Sequence, residues 1–503
     1  MKRTTSAVLF LALMLPTTAW ADEEFRFFGG GWGHGVGLSQ HGMLGLALKG
    51  WSRSEIIKWY YVGTSLQQRD PPKNSFRVGL LQRRGSFRLR ASAGAASFVL
   101  ENTGETVAKI PQGETRRVEI AGGRYKIYAG DTLKGTFGGA DNDLRVIYRD
   151  TGARVKVIEW GHRVARGRLE FEIASDTRAH LVTVVNSEQY LYGLGEVPSS
   201  WPMKTLEVQA DAGRTYAYTV VGNRTGCACD IYGDTRDQHY VGWDKENATD
   251  GDRWVQAVKN TNKQVIVYEG DLARTFYSSS SGGWVESVSD VWGSSYPYLK
   301  ARCDPGDYVS VNTNRTWRTD LMGKEAASRL RARRGWNIRR VTGFAITDRG
   351  KGGYVSKASV KGINTSGAKD SWSATGEQLR TGLGVKSARF WVNNNRQVTG
   401  AIRRKYDGIK CRPGLPRSAR RSTNGGVWQI FAFGRIYSKD GPGTHHLHGL
   451  VLGKYLNKNG PSGRLRYPTT GITHPDANRD RARFQGGVIT CNRSTGGCSV
   501  RYT

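Results

Sequence analysis

The chain has 503 residues, 75 Lys and Arg against 43 Asp and Glu, a formal net charge of +32, and 65 glycines. Such a charge attracts polyanions over long range. The basic residues are scattered, however, and no basic helix or aromatic platform of a nucleic-acid module is present. Nucleic acid is therefore excluded as the expected partner, and an anionic wall or membrane surface takes its place.

Residues 1–21 read MKRTTSAVLFLALMLPTTAWA. Two basic residues, an apolar run and Ala19-Trp20-Ala21 predict a signal peptide cleaved after Ala21. The run is too short to span a bilayer, and no later segment is apolar enough to do so. The expected mature chain is secreted, and its length suits two to four domains.

Next comes GGGWGHGVGLSQHGM, residues 29–43, in which seven of fifteen residues are glycine. Trp32, Val36 and Leu38 stand at alternate positions, which argues against a linker. From 74 to 186 short runs such as FRVGLL, FRLRA, YKIYAG, ARVKVIEW and LVTVVN alternate apolar and polar residues between turn formers, which predicts strands. Residues 203–222 break that period: no Pro interrupts them, Gly222 stops them, and Ala210, Gly213 and Ala217 share one helical face. Trp201-Pro202 opens this helix, since Pro is tolerated in a first turn. Strands return after 265, and 325–333 predicts a short basic helix. Residues 411–426, rich in Pro, Ser, Gly and Arg, read as an exposed linker. A small aromatic-rich module follows at 427–495.

Five stretches carry a resemblance. YLYGLGEVPSSWPMKTLEVQADAGRTYAY (190–218) has a strand end, Glu-x-Pro and a helix ending in Arg-Thr-Tyr. DTRDQHYVG (234–242), FYSSSSGGWVES with DVWG and PYL (276–299), GLGVKSARFWV (382–392) and the opening GWGHGVGLSQHGM complete the set. Together they resemble the stage II sporulation protein D (SpoIID/LytB) family over roughly residues 26–392. In the sporulation proteins the Gly-His-Gly-Val-Gly signature comes near the C-terminus, whereas here it comes first. Such an order is tolerable if the ends of the domain lie close together.

The resemblance implies an α+β fold, a strand-rich domain over 25–393 with one prominent helix bordering a cleft. It also implies a lytic transglycosylase acting on peptidoglycan glycan strands. Carried over by position, Glu196 is the catalytic acid. A protonated Glu donates to the oxygen linking N-acetylmuramic acid to N-acetylglucosamine. The carboxylate then takes the proton of the sugar's own C6 hydroxyl, closing a 1,6-anhydro ring without a second carboxylate, unlike an ordinary glycosidase. Glu196 needs partial desolvation to stay protonated, and Val197, Pro198 and Trp201 are suitable neighbours. Taken alone, it reads as a turn residue near a helix start.

The implied substrate-binding set is Trp32, His34, Ser39, Gln40, Arg214, Gln238, Tyr240, Tyr277, Ser280, Ser281, Gly282 and Gly283. Gly33, Gly35 and Gly37 would strip side chains from the groove floor, and Trp32 would stack on a sugar. His41 reads as a plain surface residue. Asp211 and Gly213 depart from the family's helix, and Asp211 is spaced to pair with Arg214.

Six cysteines in an exported chain suit disulfides. Cys491 and Cys498 could close a small loop and Cys303 and Cys411 a long one, whereas a Cys227–Cys229 bridge would be strained; connectivity stays open. Cys227, Cys229 and His239 offer three local ligands where structural zinc takes four, so no metal or other cofactor is expected. Residues 445–448, HHLH, read as surface or turn. The C-terminal module resembles an LGFP repeat, a unit of actinobacterial cell-wall proteins, with Arg466 where that family favours Gly. On a flexible linker it would raise the local concentration at the wall.

The expected partners are thus peptidoglycan strands, anionic wall polymers and, on the competing reading of a non-catalytic glycan binder or amidase enhancer, an amidase. Enzyme and binder differ at Glu196, whose carboxyl only the enzyme needs. A purely electrostatic wall protein would instead lose binding in salt.

Overall fold

The computed structural model describes residues 22–148, 152–222 and 224–503. The signal peptide expected at 1–21 lies outside the described residues. Strand Glu24–Gly29 buries Phe25 and Phe27 on alternate positions, as period two dictates. It lies between Trp317–Met322 and Phe390–Val392, antiparallel to both. The start of the domain is therefore zipped to its end. That closure accommodates the permuted motif order, because the opening loop reaches the same place from either end.

The strands expected between 74 and 186 build two sheets. One has seven strands and includes Ser75–Arg84 and Arg178–Asn186; the other has six and includes Ser86–Ala93 and Arg124–Ala129. In Ser86–Ala93 the apolar Phe87, Leu89 and Ala91 turn inward while Arg88 and Arg90 face solvent. Both sheets share a core that includes Phe87, Phe98, Tyr125 and Phe171.

The central helix, Met203–Val220, is buried along most of its length. It packs on helix Gly251–Asn260 and strand Gln264–Tyr268. Gly213 is small for a reason: a Cβ there would lie 3.2 Å from Leu194 and 3.3 Å from Gln238. Asp211 and Arg214 come within 3.9 Å, but each has a better partner. Arg53 grips Asp211 with two bonds of 2.6 Å, and Arg214 holds Glu188 at 2.8 and 2.9 Å.

All six cysteines pair, as Cys227–Cys229, Cys303–Cys411 and Cys491–Cys498. The first settles a pairing that spacing alone disfavoured, and it leaves neither thiol for a metal. The linker reading of 411–426 needs correction. Cys411 is cross-linked into the main domain, Pro416 bridges to Phe431, and Arg421–Thr423 pairs with Gly426–Phe431. Val398, Ile402, Tyr406, Phe431 and Ile436 close one core across the junction. Pro and Gly there report irregular backbone, not freedom, so the C-terminal module is fixed to the main domain instead of tethered. It consists of two four-stranded sheets around helix Gly449–Leu456. Arg466 adopts φ 57°, the left-handed region glycine favours. Among the described residues no helix is long and apolar enough to cross a membrane.

Candidate functional site

The glycine-rich loop is pressed against segment 277–286. Leu38–Ser39 runs parallel to Tyr277–Ser278, and single bridges join Trp32 to Ser280 and Val36 to Glu286. The glycines serve this contact, which corrects the expectation that they bare a groove floor. A Cβ on Gly35 would meet the Tyr354 ring at 2.1 Å, and Gly37, at φ 73°, lies against the Phe276 carbonyl.

The motif serines also point inward. Ser39 caps helix Gln40–Leu48 by accepting from Gly42 N at 3.1 Å. Its hydroxyl donates to Asp307 at 2.9 Å, Ser280 donates to Asp307 at 3.0 Å, and Ser281 donates to Asp304 at 2.7 Å. Tyr60 adds a bond to Asp304 at 2.8 Å. All six of these residues are enclosed, so Ser39, Ser280 and Ser281 hold two loops together and do not meet a sugar. Gly282 and Gly283 are likewise covered, by Gly30 and Arg403. Burial drives the Asp304 carboxyl up to about 7.

With Ser39 as the cap, Gln40 opens its helix and its amide reaches the Glu196 carboxyl at 3.4 Å. Glu196 follows the short helix Ser187–Tyr192, capped by Asn186. Gly195 N bonds the His239 carbonyl at 2.8 Å, and His239 N returns a bond of 2.7 Å to Glu196 Oε1. Tyr277 supplies a third donor. Its direction is set from behind: Tyr190 donates to Gln238 Oε1 at 2.9 Å, and Gln238 Nε2 donates to the Tyr277 oxygen at 2.7 Å and to the Gly213 carbonyl at 3.2 Å. With that oxygen accepting from Gln238, the Tyr277 proton is left for Glu196. Burial raises the Glu196 carboxyl above its usual range, and the three donors and Lys245 oppose the rise. Lys245, whose ammonium is lowered to about 8 by burial, donates to the Val197 carbonyl at 2.5 Å. Glu196 itself is half-buried.

Two exposed indoles stand on the glycine-rich loop and on the segment that follows residue 286. Trp32 is 52% exposed and Trp292 40% exposed. Trp292 lies 4.9 Å from the rings of both His34 and Phe276. Next to Gln40, the His41 ring sits 5.4 Å from Trp201 and 2.8 Å from the Ser279 carbonyl, so it is held in place and not a plain surface residue. His34 accepts from Val36 N at 3.0 Å and bonds the Tyr277 backbone, and burial lowers it to about 4. It is neutral with both nitrogens engaged, which leaves its ring but not its edge for a ligand.

Of the expected binding residues, the structure brings Gln40 and Tyr277 to Glu196, while Trp32 is exposed on the loop paired with Ser280. It places Gln238 and Tyr240 in the interior, Tyr240 stacked on Tyr190 at 5.4 Å. Arg214 is wholly buried on the far side of the central helix, where it bonds Glu188 and the Val258 carbonyl. Both corrections have one cause: a motif marks residues a fold needs, whether or not they touch a ligand. Trp292, Tyr190, Lys245, Asp304 and Asp307 escaped sequence reading. Trp292 lies in the DVWG stretch and Tyr190 opens YLYGLGEV, both quoted above as motif and not as site; the acids lie in DPGD, an acidic turn in a basic chain.

Residues 175–268 match the family model described as stage II sporulation protein, and residues 414–463 match the LGFP repeat. The chain carries a stage II sporulation protein domain. The matched span holds Glu196, the central helix and Gln238, while the glycine-rich loop and Tyr277 join it only in space. Stage II sporulation protein D of Bacillus amyloliquefaciens is 26% identical over 240 residues, 44% of this chain and 65% of that protein. The amidase enhancer of Bacillus subtilis (strain 168) is 37% identical over 112 residues, 22% of this chain and 14% of that protein. An uncharacterized protein of Brachyspira hyodysenteriae (strain ATCC 49526 / WA1) is 36% identical over 138 residues, 26% and 36% of the two chains. The chain thus spans less than two thirds of each relative's length. The sporulation domain and the LGFP repeat point to a cell-wall-related role outside the cytoplasm.

Proposed function

We propose that the chain is an exported, wall-associated lytic transglycosylase of peptidoglycan with Glu196 as its single acid and base. The carrying observation is a half-buried carboxyl that burial raises and on which donors from the opening loop and from the His239 loop converge. Protonated, it donates to the glycosidic oxygen, and the bond from that oxygen to C1 of N-acetylmuramic acid breaks. The ionised carboxylate is then held by His239 N, Gln40 and Tyr277, which lowers the cost of the charge. It removes the C6 hydroxyl proton as O6 bonds C1, and the enzyme ends protonated as it began. Trp32 and Trp292 offer faces for sugar rings. The raised carboxyls of Asp211, Glu286 and Asp304 are sealed in protein and meet no sugar, which leaves Glu196 as the one of the four placed to act as an acid.

The amidase-enhancer relative favours a second reading, a glycan binder that assists an amidase. Digestion of amidase-stripped glycan strands, with products read by mass spectrometry, separates them. Muropeptide-free fragments ending in 1,6-anhydromuramic acid support the transglycosylase, reducing ends mean a hydrolase, and bound but intact glycan means the binder.

A further inference from the structure

A second cleft, of about 800 Å³, opens where helix Gly400–Gly408, the turn at Phe433, the end of strand Gly443–Leu447 and the start of helix Gly449–Leu456 meet. That volume suits a small-molecule site. Its lining divides by chemistry. Lys405 and Arg412 bring two cations, and both act on His446 within the cleft. Burial lowers His446 to about 4, so it stays a neutral hydrogen-bonding ring, 2.9 Å from the Phe433 carbonyl and 5.0 Å from the His448 ring. The nearest helix acid, Asp407, is already held by Arg403 at 2.8 Å, and among the described residues no carboxylate lines the cleft. Across the cleft Asp480 is taken up by His474 at 2.8 Å and Arg493 at 2.6 Å, so Lys405 and Arg412 are left without a carboxylate partner among the described residues. Beside them Phe433 is 70% exposed, a large apolar ring with one edge against Gly414. Residues 445–448, read from sequence as surface or turn, are thus partly the wall of a cavity.

We propose that this cleft is a second saccharide site that takes an acidic sugar unit, its carboxylate or phosphate against Lys405 and Arg412 and its ring on Phe433. Cations without an internal partner call for an anion, and an exposed aromatic face beside them calls for the flat face of a ring. The site does not depend on the chemistry at Glu196. Because Cys411, next to Arg412, is cross-linked to Cys303 in the main domain, an anionic polymer held here would stand at a fixed distance from Glu196.

Calorimetric titration of the full mature chain at low salt tests it with four probes: glucuronate, glucose 6-phosphate, glucose and inorganic phosphate. Saturable binding of either acidic sugar is expected, about tenfold tighter than glucose. Preference between the two tells a carboxylate from a phosphate source. Phe433→Ala and the pair Lys405→Gln with Arg412→Gln should each weaken it by about five- to tenfold, while Glu196→Gln should leave it unchanged. Phe433 is exposed, so its variant keeps the fold. Equal affinity for glucose, binding of inorganic phosphate that matches the sugars and ignores Phe433→Ala, or no saturable binding would each overturn the proposal.

Discussion

Glu196 and Asp304 are both carboxyls that burial lifts above their ordinary range, and both are ringed by hydroxyl and amide donors. They differ in what can reach them. Glu196 is half-buried beside Gln40 and Tyr277, whereas Asp304 is shut in with Ser281, Tyr60 and Asp307. A raised carboxyl becomes a proton donor only where a substrate oxygen can arrive; without access it is a structural element that favours its neutral form. The same division runs through the motif residues, since Ser39 ties loops together while its neighbour Gln40 reaches the Glu196 carboxyl.

The sharpest way to break this comparison is Glu196→Gln. It retains an oxygen for His239 N, so the fold should hold while glycan cleavage falls by about 10²–10⁴-fold, measured as released fragments. Gln238→Ala should come next. It strands the Tyr190 hydroxyl in the interior, costing about 1–3 kcal/mol in urea unfolding, and it frees Tyr277 from its set direction.

The pH dependence separates the two acids. On the proposed mechanism glycan cleavage needs protonated Glu196, so its falling limb should lie above pH 4.5, the ordinary glutamate value. Tyr277→Phe removes a donor that favours the ionised form, and the limb should move to higher pH. Asp304 acts on stability instead. Its folded pKa is about 7 against 3.8 unfolded, so between those values the folded state binds more protons and stability falls as pH rises. Asp304→Asn should flatten that slope in melts between pH 4 and 7. Trp32→Ala should have the smallest effect: an unchanged fold and a glycan affinity lower by about three- to tenfold.

Legibility in the sequence followed the same line. Period two in 74–186 and the unbroken run of 203–222 gave strands and the central helix, because local patterning decides burial there. Glu196, Gln40 and Tyr277 could be named because each sits in a motif of its own. What patterning could not convey was direction. Gln238 and Arg214 carry the polar groups of a ligand contact, yet they face inward, and only the packing of Gly213 against Gln238 and of Arg214 against Glu188 decides it. Nor could composition foresee that 411–426 would be pinned by Cys411 and by strand pairing.

The most direct measurement is the rate of glycan-strand cleavage by Glu196→Gln set beside Asp304→Asn, each expressed per folded molecule. Loss of about 100-fold or more in the first, with the second within a few-fold of wild type, is the expected result. Wild-type cleavage by Glu196→Gln would contradict the assignment of Glu196 as the acid.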